Sequence, residues 1–196
     1  SISDIAKRSN GEIWFANNSY GVIVLPAAGK PAFLLTHETH PSIIQDNFVN
    51  TIFESGDKVM WIGQRNGLSI MYSNNQGTAI TMKEGKKDFT SCDIRHISQD
   101  KEGNIWLATD NEGIIRISGN VSNPKSLRFK QYSPAQQNFD IEDATACLED
   151  SRGRLWAISN SGGLFLYNKV KDKFEPKNQE YHLSGDRMLT IKEDEN

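Results

Sequence analysis

The sequence predicts an all-β chain: about four β-propeller blades, each a sheet of four antiparallel strands. Three observations predict it. Trp14, Trp61, Trp106 and Trp156 recur every 45 to 50 residues, a period that marks a propeller or a solenoid. Each tryptophan stands just after a polar turn, as in Asp100-Lys101-Glu102-Gly103-Asn104-Ile105-Trp106 and Asp150-Ser151-Arg152-Gly153-Arg154-Leu155-Trp156. No segment sustains a 3.6-residue apolar period, whereas short β-rich runs bounded by Gly, Asn and Pro are everywhere.

In chain order, residues 1–35 form the first blade. Ile2 and Ile5 start its inner strand, Asn10-Gly11 turns the chain, Ile13 to Ala16 and Gly21 to Leu25 follow, and Ala32 to Leu35 close it. Pro26 and Pro31 bound the last connection, where no ladder donor is needed. Residues 36–48 are a longer link. The second blade spans 49–82, with Ile52 and Phe53 on the first strand, Trp61 on the second, Leu68, Ile70 and Tyr72 on the third, and a fourth near Thr78 to Met82. Lys58 stands where the other three turns have glycine, so the Gly56-Asp57 pair is expected to shift this turn by two residues. The third blade spans 93–132 and ends on the alternating Leu127-Arg128-Phe129-Lys130-Gln131-Tyr132, an outer, half-exposed strand. The fourth spans 143–174. Residues 187–196 repeat the inner-strand pattern and are expected to start a further blade, so the chain reads as one propeller fragment.

The recurring residue types have physical reasons. The turn aspartates (Asp100, Asp150) can accept backbone hydrogen bonds, and the turn glycines (Gly103, Gly153) supply positive φ. The tryptophan fills the space between sheets, and its ring N–H needs a partner. Four-stranded sheets stacked around an axis make a propeller.

Composition narrows the function. Formal charge is −3 with 24% charged residues and no basic run, which argues against nucleic acid. No run of about 18 apolar residues exists, so any membrane connection is expected through segments outside this stretch. Cys92 and Cys147 lack metal-type spacing. Cys147 lies in an apolar run and reads as a small core residue, with a Cys92–Cys147 disulfide left open. There is no Gly-rich phosphate loop, CxxC pair or Ser/His/Asp order; no cofactor, metal or catalytic residue is expected.

The pattern Ile-x-x-Asp-x-x-Gly-x-Ile/Leu-Trp, then Gly-Gly-Leu and Tyr, resembles the two-component regulator propeller repeat. The match is closest at Asp100, Gly103, Trp106, Thr109 and Gly113, and at Asp150, Gly153, Trp156, Gly163, Leu164 and Tyr167. Blade one departs from it at Arg8 and Asn17, and blade two at Ser55, Lys58 and Gln64. The resemblance implies a seven-bladed propeller in the periplasmic sensor of a hybrid two-component system of the Bacteroides type. It also implies an inner-membrane histidine kinase beyond this stretch, and sensing of glycan breakdown products. Gly11-Glu12-Ile13-Trp14-Phe15 is similar to repeats of the streptogramin B lyases, which implies the alternative of a magnesium-dependent propeller enzyme. A purely structural interaction propeller is the third reading.

Candidate chemistry follows from position. Propeller ligands usually meet the loops that join second to third strands and blade to blade. The first set here contains Tyr20 with its Asn17-Asn18-Ser19 neighbours, Arg65 and Asn66, Asp110, Asn111 and Glu112, and Asn160. Planar amide, carboxylate and guanidinium groups with one aromatic platform suit an oligosaccharide or another small polar ligand. Arg65 and Tyr20 stand out because turn geometry requires neither. His37 and His40, three apart in a loop before Pro41, lack helical ligand spacing. His96, on an inner strand beside Arg95, is expected to line the pore or to be hydrogen-bonded; only the lyase alternative would give it a catalytic role. Glu142, Asp143 and Asp93 read as solvated carboxylates. An open arc of blades exposes sheet faces, so self-association as a dimer is expected.

Overall fold

The computed structural model describes residues 1–27, 29–74, 76–80, 92–133, 141, 143–185 and 187–194. The chain is all-β and forms two compact units, Ser1–Ile94 and Arg95–Asn196.

The first unit holds two sheets. One comprises β1 (Ile2–Lys7), β2 (Ile13–Asn17), β3 (Gly21–Leu25) and β4 (Phe33–Leu35). The other comprises β5 (Val49–Glu54), β6 (Met60–Gln64), β7 (Gly67–Met71) and β8 (Gly77–Ala79). The second unit is built from β9 (Ile94–Gln99, whose first residue closes the first unit), β10 (Ile105–Thr109), β11 (Ile114–Ser118) and β12 (Arg128–Tyr132). Its other sheet comprises β13 (Ala144–Glu149), β14 (Leu155–Ser159), β15 (Leu164–Asn168) and β16 (Lys173–Pro176). In every sheet the strands neighbour one another in sequence order, the up-and-down blade of a propeller. The last strand of the second blade is shorter than the sequence suggests, and Met82 lies outside the described residues. A single 3-10 turn, Pro124–Ser126, interrupts the strands among the described residues.

Apolar residues on the inward faces join the two sheets of each unit. In the first, Trp14, Val24 and Leu35 pack with Val49, Met60 and Ile62. Ile43 and Ile44 of the 36–48 link are buried in the same core, so that link is part of the packing. In the second, Trp106 and Tyr132 pack with Leu155, Phe165 and Phe174. Trp106, Tyr132, Tyr167 and Phe174 meet mostly edge to face, with centroids 5.1 to 6.0 Å apart, the arrangement ring quadrupoles favour.

One five-residue turn is used in all four blades. The first turn residue donates its N–H to the fifth and accepts from the fourth: Arg8 with Glu12 and Gly11, Ser55 with Val59 and Lys58, Asp100 with Asn104 and Gly103, Asp150 with Arg154 and Gly153. The second blade therefore keeps the turn in register, and no two-residue shift occurs. Lys58 itself takes the left-handed conformation, at φ 66°. A lysine there costs about 1–2 kcal/mol of backbone strain, partly offset by the lower chain entropy of a non-glycine residue. Lys58→Gly is expected to stabilise the chain by about 0.5–1 kcal/mol, seen as a higher urea midpoint. An unchanged or lower midpoint would contradict the strain argument.

Each turn also supplies an acceptor for the tryptophan that follows it. Trp106 donates its ring N–H to Asp100 Oδ2 at 2.8 Å and Trp156 to Asp150 Oδ2 at 3.0 Å. Where the aspartate is missing, the acceptor moves: Trp14 donates to Glu12 Oε2 and Trp61 to Ser55 Oγ. The departures at Arg8 and Ser55 are thus compensated, because a buried indole N–H cannot be left unpaired cheaply.

Inner strands are pinned to the preceding blade by a second recurring device. Ser9 donates its N–H and hydroxyl to Glu54, the last residue of β5, and Lys101 donates its N–H to Glu149, the last residue of β13. Ser3 Oγ donates to the carbonyl of Val49, the first residue of β5. The same contacts recur at the end of the chain, where Ser151 donates to Glu193 and Thr145 to the Met188 carbonyl. Residues 188–193 therefore lie on the fourth blade as β5 lies on the first.

Both cysteines are buried free thiols, so no Cys92–Cys147 disulfide is present. Burial pushes the Cys147 thiol up to about 12, against a weak contact from Ser98. It is inert at neutral pH.

Candidate functional site

The turns between second and third strands are closed by the residue that ends the second strand. In the first unit, Asn17 Oδ1 accepts from the backbones of Ser19 and Tyr20. In the second, Thr109 Oγ1 accepts from Glu112 and donates to the Gly113 carbonyl, and Ser159 Oγ accepts from Gly163. Gln64 takes this position in the second blade, and its longer side chain reaches further. It is fully buried, accepts from the backbones of Gln45 and Asp46, and donates to Ser69 Oγ. Gln64 thereby ties the 36–48 link to the sheet and places Asp46 beside the next two residues.

Those two residues are Arg65 and Asn66, and both turn to Asp46. Asn66 Nδ2 donates to Asp46 Oδ2 at 2.6 Å, and Arg65 Nε lies 3.6 Å from the same oxygen. The Arg65 guanidinium stacks over Phe48, 4.5 Å from the ring centroid, while its side chain stays half exposed. Arg65 is thus held flat, with its outer edge free to hydrogen-bond, a geometry suited to planar recognition. In the first blade, Tyr20 is 67% exposed. Two residues before it, Asn18 Oδ1 is buried and accepts no hydrogen bond among the described residues.

In the second unit the remaining candidates are engaged by neighbours. Asp110 pairs with Arg95 at 2.9 Å, both half exposed. Glu112 accepts from Gln131 Nε2 through its carbonyl and Oε2. Asn160 Oδ1 accepts from Arg187 Nε at 2.8 Å. Asn111 has an interaction of its own. The structure thus groups Arg65 with Asn66, and ties Asp110, Glu112 and Asn160 to separate partners.

The other chemistry raised by the sequence is absorbed locally. His37 Nδ1 donates to the Ile44 carbonyl at 2.9 Å, and His40 Nδ1 contacts Thr39 Oγ1. Asp93 accepts from Asn50, and Asp143 from Ser161. Glu142 lies outside the described residues. His96 sits half-buried on β9 and is engaged by a neighbour. Asp46 and Phe48 are not legible in the sequence as site residues, and Asn18 is legible only as a member of its loop. Only the folded 36–48 link brings the first two under Arg65, and a buried orphan acceptor has no sequence signature.

Comparison with known proteins agrees with the architecture. The family profile described as "Two component regulator propeller" matches residues 88–111. A stretch of 94 residues is 34% identical to histidine kinase P4 of Formosa agariphila, covering 45% of this chain and 7% of that protein. Among solved structures, one is described as the extracellular domain of a hybrid two-component system from B. thetaiotaomicron. It shares the fold over 100% of this chain and 25% of its own, with TM-score 0.77 and 22% identity. Virginiamycin B lyase from Staphylococcus aureus shares it over 89% of this chain and 54% of its own, with TM-score 0.67 and 14% identity. At these identities the solved structures establish the fold alone, and the chain spans a small part of the kinase and a quarter of the extracellular domain. Residues 88–111 match the two-component regulator propeller repeat, and the turn, tryptophan and closing side chain of that stretch recur in each of the other three blades.

Proposed function

We propose that this chain is part of the extracytoplasmic sensor of a hybrid two-component regulator and binds an oligosaccharide through its second-to-third-strand loops. The observation that carries the reading is in the first unit. An exposed tyrosine stands in one second-to-third-strand loop, and a guanidinium is held flat in another. An apolar sugar face suits the Tyr20 ring, and Arg65 can hold two neighbouring oxygens in one plane. Occupancy would reach a kinase across the inner membrane by favouring one packing of a sensor dimer, which requires different affinity for two states. The proposed place is the periplasm, with no nucleic-acid partner.

The test is calorimetric titration of the chain with a panel of neutral and acidic oligosaccharides. One oligosaccharide is expected to bind, and Tyr20→Ala and Arg65→Ala are each expected to weaken it about tenfold without lowering the melting temperature. Both side chains are exposed enough that their loss costs little stability. Absence of binding across the panel, or unchanged affinity in both variants, would overturn the site. Magnesium-dependent consumption of a ligand, abolished by His96→Ala, would replace the binding reading with catalysis.

A further inference from the structure

We infer that the cavity between the two blades of the second unit, on the side of the first-to-second-strand turns, is a binding site for a guanidinium group. The cavity encloses about 190 Å³ and is lined by Asp100, Glu102, Trp106, Arg116, Glu149 and Lys169, with Leu155 and Tyr167 completing it. It is separate from the loops proposed above, which lie at the other ends of the strands.

Turn hydrogen bonds and strand register make Asp100 the counterpart of Arg8, Trp106 of Trp14, Glu149 of Glu54, and Leu155 of Met60. In the first unit this same space is filled by the chain's own guanidinium. Arg8 is buried, lies 5.4 Å from the Trp14 ring centroid, donates to Glu54 Oε1 at 3.2 Å and Glu12 Oε2 at 3.3 Å, and donates to the Lys58 carbonyl at 3.1 Å. In the second unit the plug is gone, because aspartate stands in its place, yet the carboxylate that received it is kept. Glu149 is 4% exposed at its side chain. Its Oε2 accepts from the Lys101 backbone, while among the described residues its Oε1 faces Lys169 Nζ, 3.9 Å away and beyond hydrogen-bond distance.

Charge and shape agree on the occupant. Three carboxylates and two cations line the space. One cation, Arg116, is already committed: it donates to Tyr167 Oη, lies 3.6 Å from Asp172, and stacks on Trp106. The other, Lys169, is half exposed on a long stem and bonds mainly to Glu102 at 3.0 Å. Lys169 can therefore swing to solvent and give its place to an incoming cation. A buried carboxylate with one unfilled oxygen favours a planar donor that offers two N–H groups. An arginine side chain presented by a peptide and a free guanidinium metabolite share this chemistry.

The experiment is titration of the chain with N-acetyl-argininamide, with agmatine, and with N-acetyl-citrullinamide, which has the same shape without the charge. Both guanidinium probes are expected to bind, and the citrulline probe at least about tenfold more weakly. Tighter binding of the argininamide would assign the site to a peptide side chain, and tighter binding of agmatine to a free metabolite. Lys169→Met removes the internal competitor and is expected to raise affinity about fivefold, whereas Glu149→Gln is expected to lower it about tenfold. Asp100→Arg with Asn104→Glu copies the plug of the first unit and is expected to abolish binding while the chain stays folded. Equal binding of the citrulline probe, or no gain in Lys169→Met, would overturn the inference even if the double variant proved unstable.

Discussion

Replacing Asp150 by alanine is expected to destabilise the chain by about 3–4 kcal/mol. Asp150 is 6% exposed and serves four donors at once. Oδ1 accepts from the backbones of Arg152 and Arg154, and Oδ2 accepts from Arg154 Nε at 2.7 Å and from the Trp156 ring at 3.0 Å. Alanine leaves the indole N–H and two turn amides without acceptors, and frees the guanidinium that stacks on Trp156. An asparagine at this position would keep one acceptor and the shape, so Asp150→Asn is expected to cost about half as much. Urea unfolding checks both. A loss below about 1 kcal/mol for the alanine variant would show that water takes over these bonds.

The same residue sets an acid dependence. Burial works to raise its pKa, but the Trp156 and Arg154 hydrogen bonds and the Arg154 charge outweigh it and hold the carboxyl at about 2, below the ordinary 3.8. A depressed folded-state pKa adds stability above the unfolded value, and that stability is lost as pH falls through the folded one. Between about pH 4 and pH 2 the native chain is therefore expected to lose about 2 kcal/mol that the Asp150→Asn variant never had. Stability curves of the two should converge in acid; parallel curves would mean that Asp150 is not the titrating group.

The blade plan is legible in the sequence because its signals are local. A turn aspartate, a turn glycine and a tryptophan six residues after the aspartate lie within one hairpin, so their contacts can be read from spacing. Lys58 misleads for a matching reason: a non-glycine residue in the left-handed conformation looks like a missing turn, and only the hydrogen bonds reveal the register. Other features are illegible because their partners lie a whole repeat away. Nothing near Ser9 announces Glu54, and nothing near Lys101 announces Glu149. The candidate site is legible only as a set of loops. Tyr20 and Arg65 can be picked because turns do not need them, but Asp46 and Phe48 come from a link whose apolar residues, Ile43 and Ile44, fold it into the core. Arg8 shows the other limit. As a lone substitution for aspartate it looks like decay of the repeat, whereas its guanidinium is buried in a carboxylate nest whose open counterpart is the cavity beside Glu149.

Gly113→Ala is expected to cost about 3–4 kcal/mol, and Gly153→Ala only about 1–2 kcal/mol. Both glycines have the same left-handed conformation, φ 72° and 73°, so the backbone term is shared. They differ in surroundings. A Cβ on Gly153 would meet nothing nearer than Glu149 Oε1 at 3.7 Å, the movable end of a side chain. A Cβ on Gly113 would stand 2.4 Å from the Tyr132 carbonyl oxygen. That oxygen is backbone on the paired strand β12 and cannot move alone. Its residue is fully buried, and its hydroxyl donates to Asp172, which also accepts from Tyr167. Relief would therefore have to shift β12 and disturb the aromatic cluster around Trp106, or shift the Asp110–Glu112 loop and break the Gln131–Glu112 contact. The difference between the two variants isolates the steric part of the cost, because strain and chain entropy cancel. Equal losses on urea unfolding would show that the blade edge yields. A gap near ~2 kcal/mol would show that it is rigid enough to hold the loops of the candidate site in fixed positions.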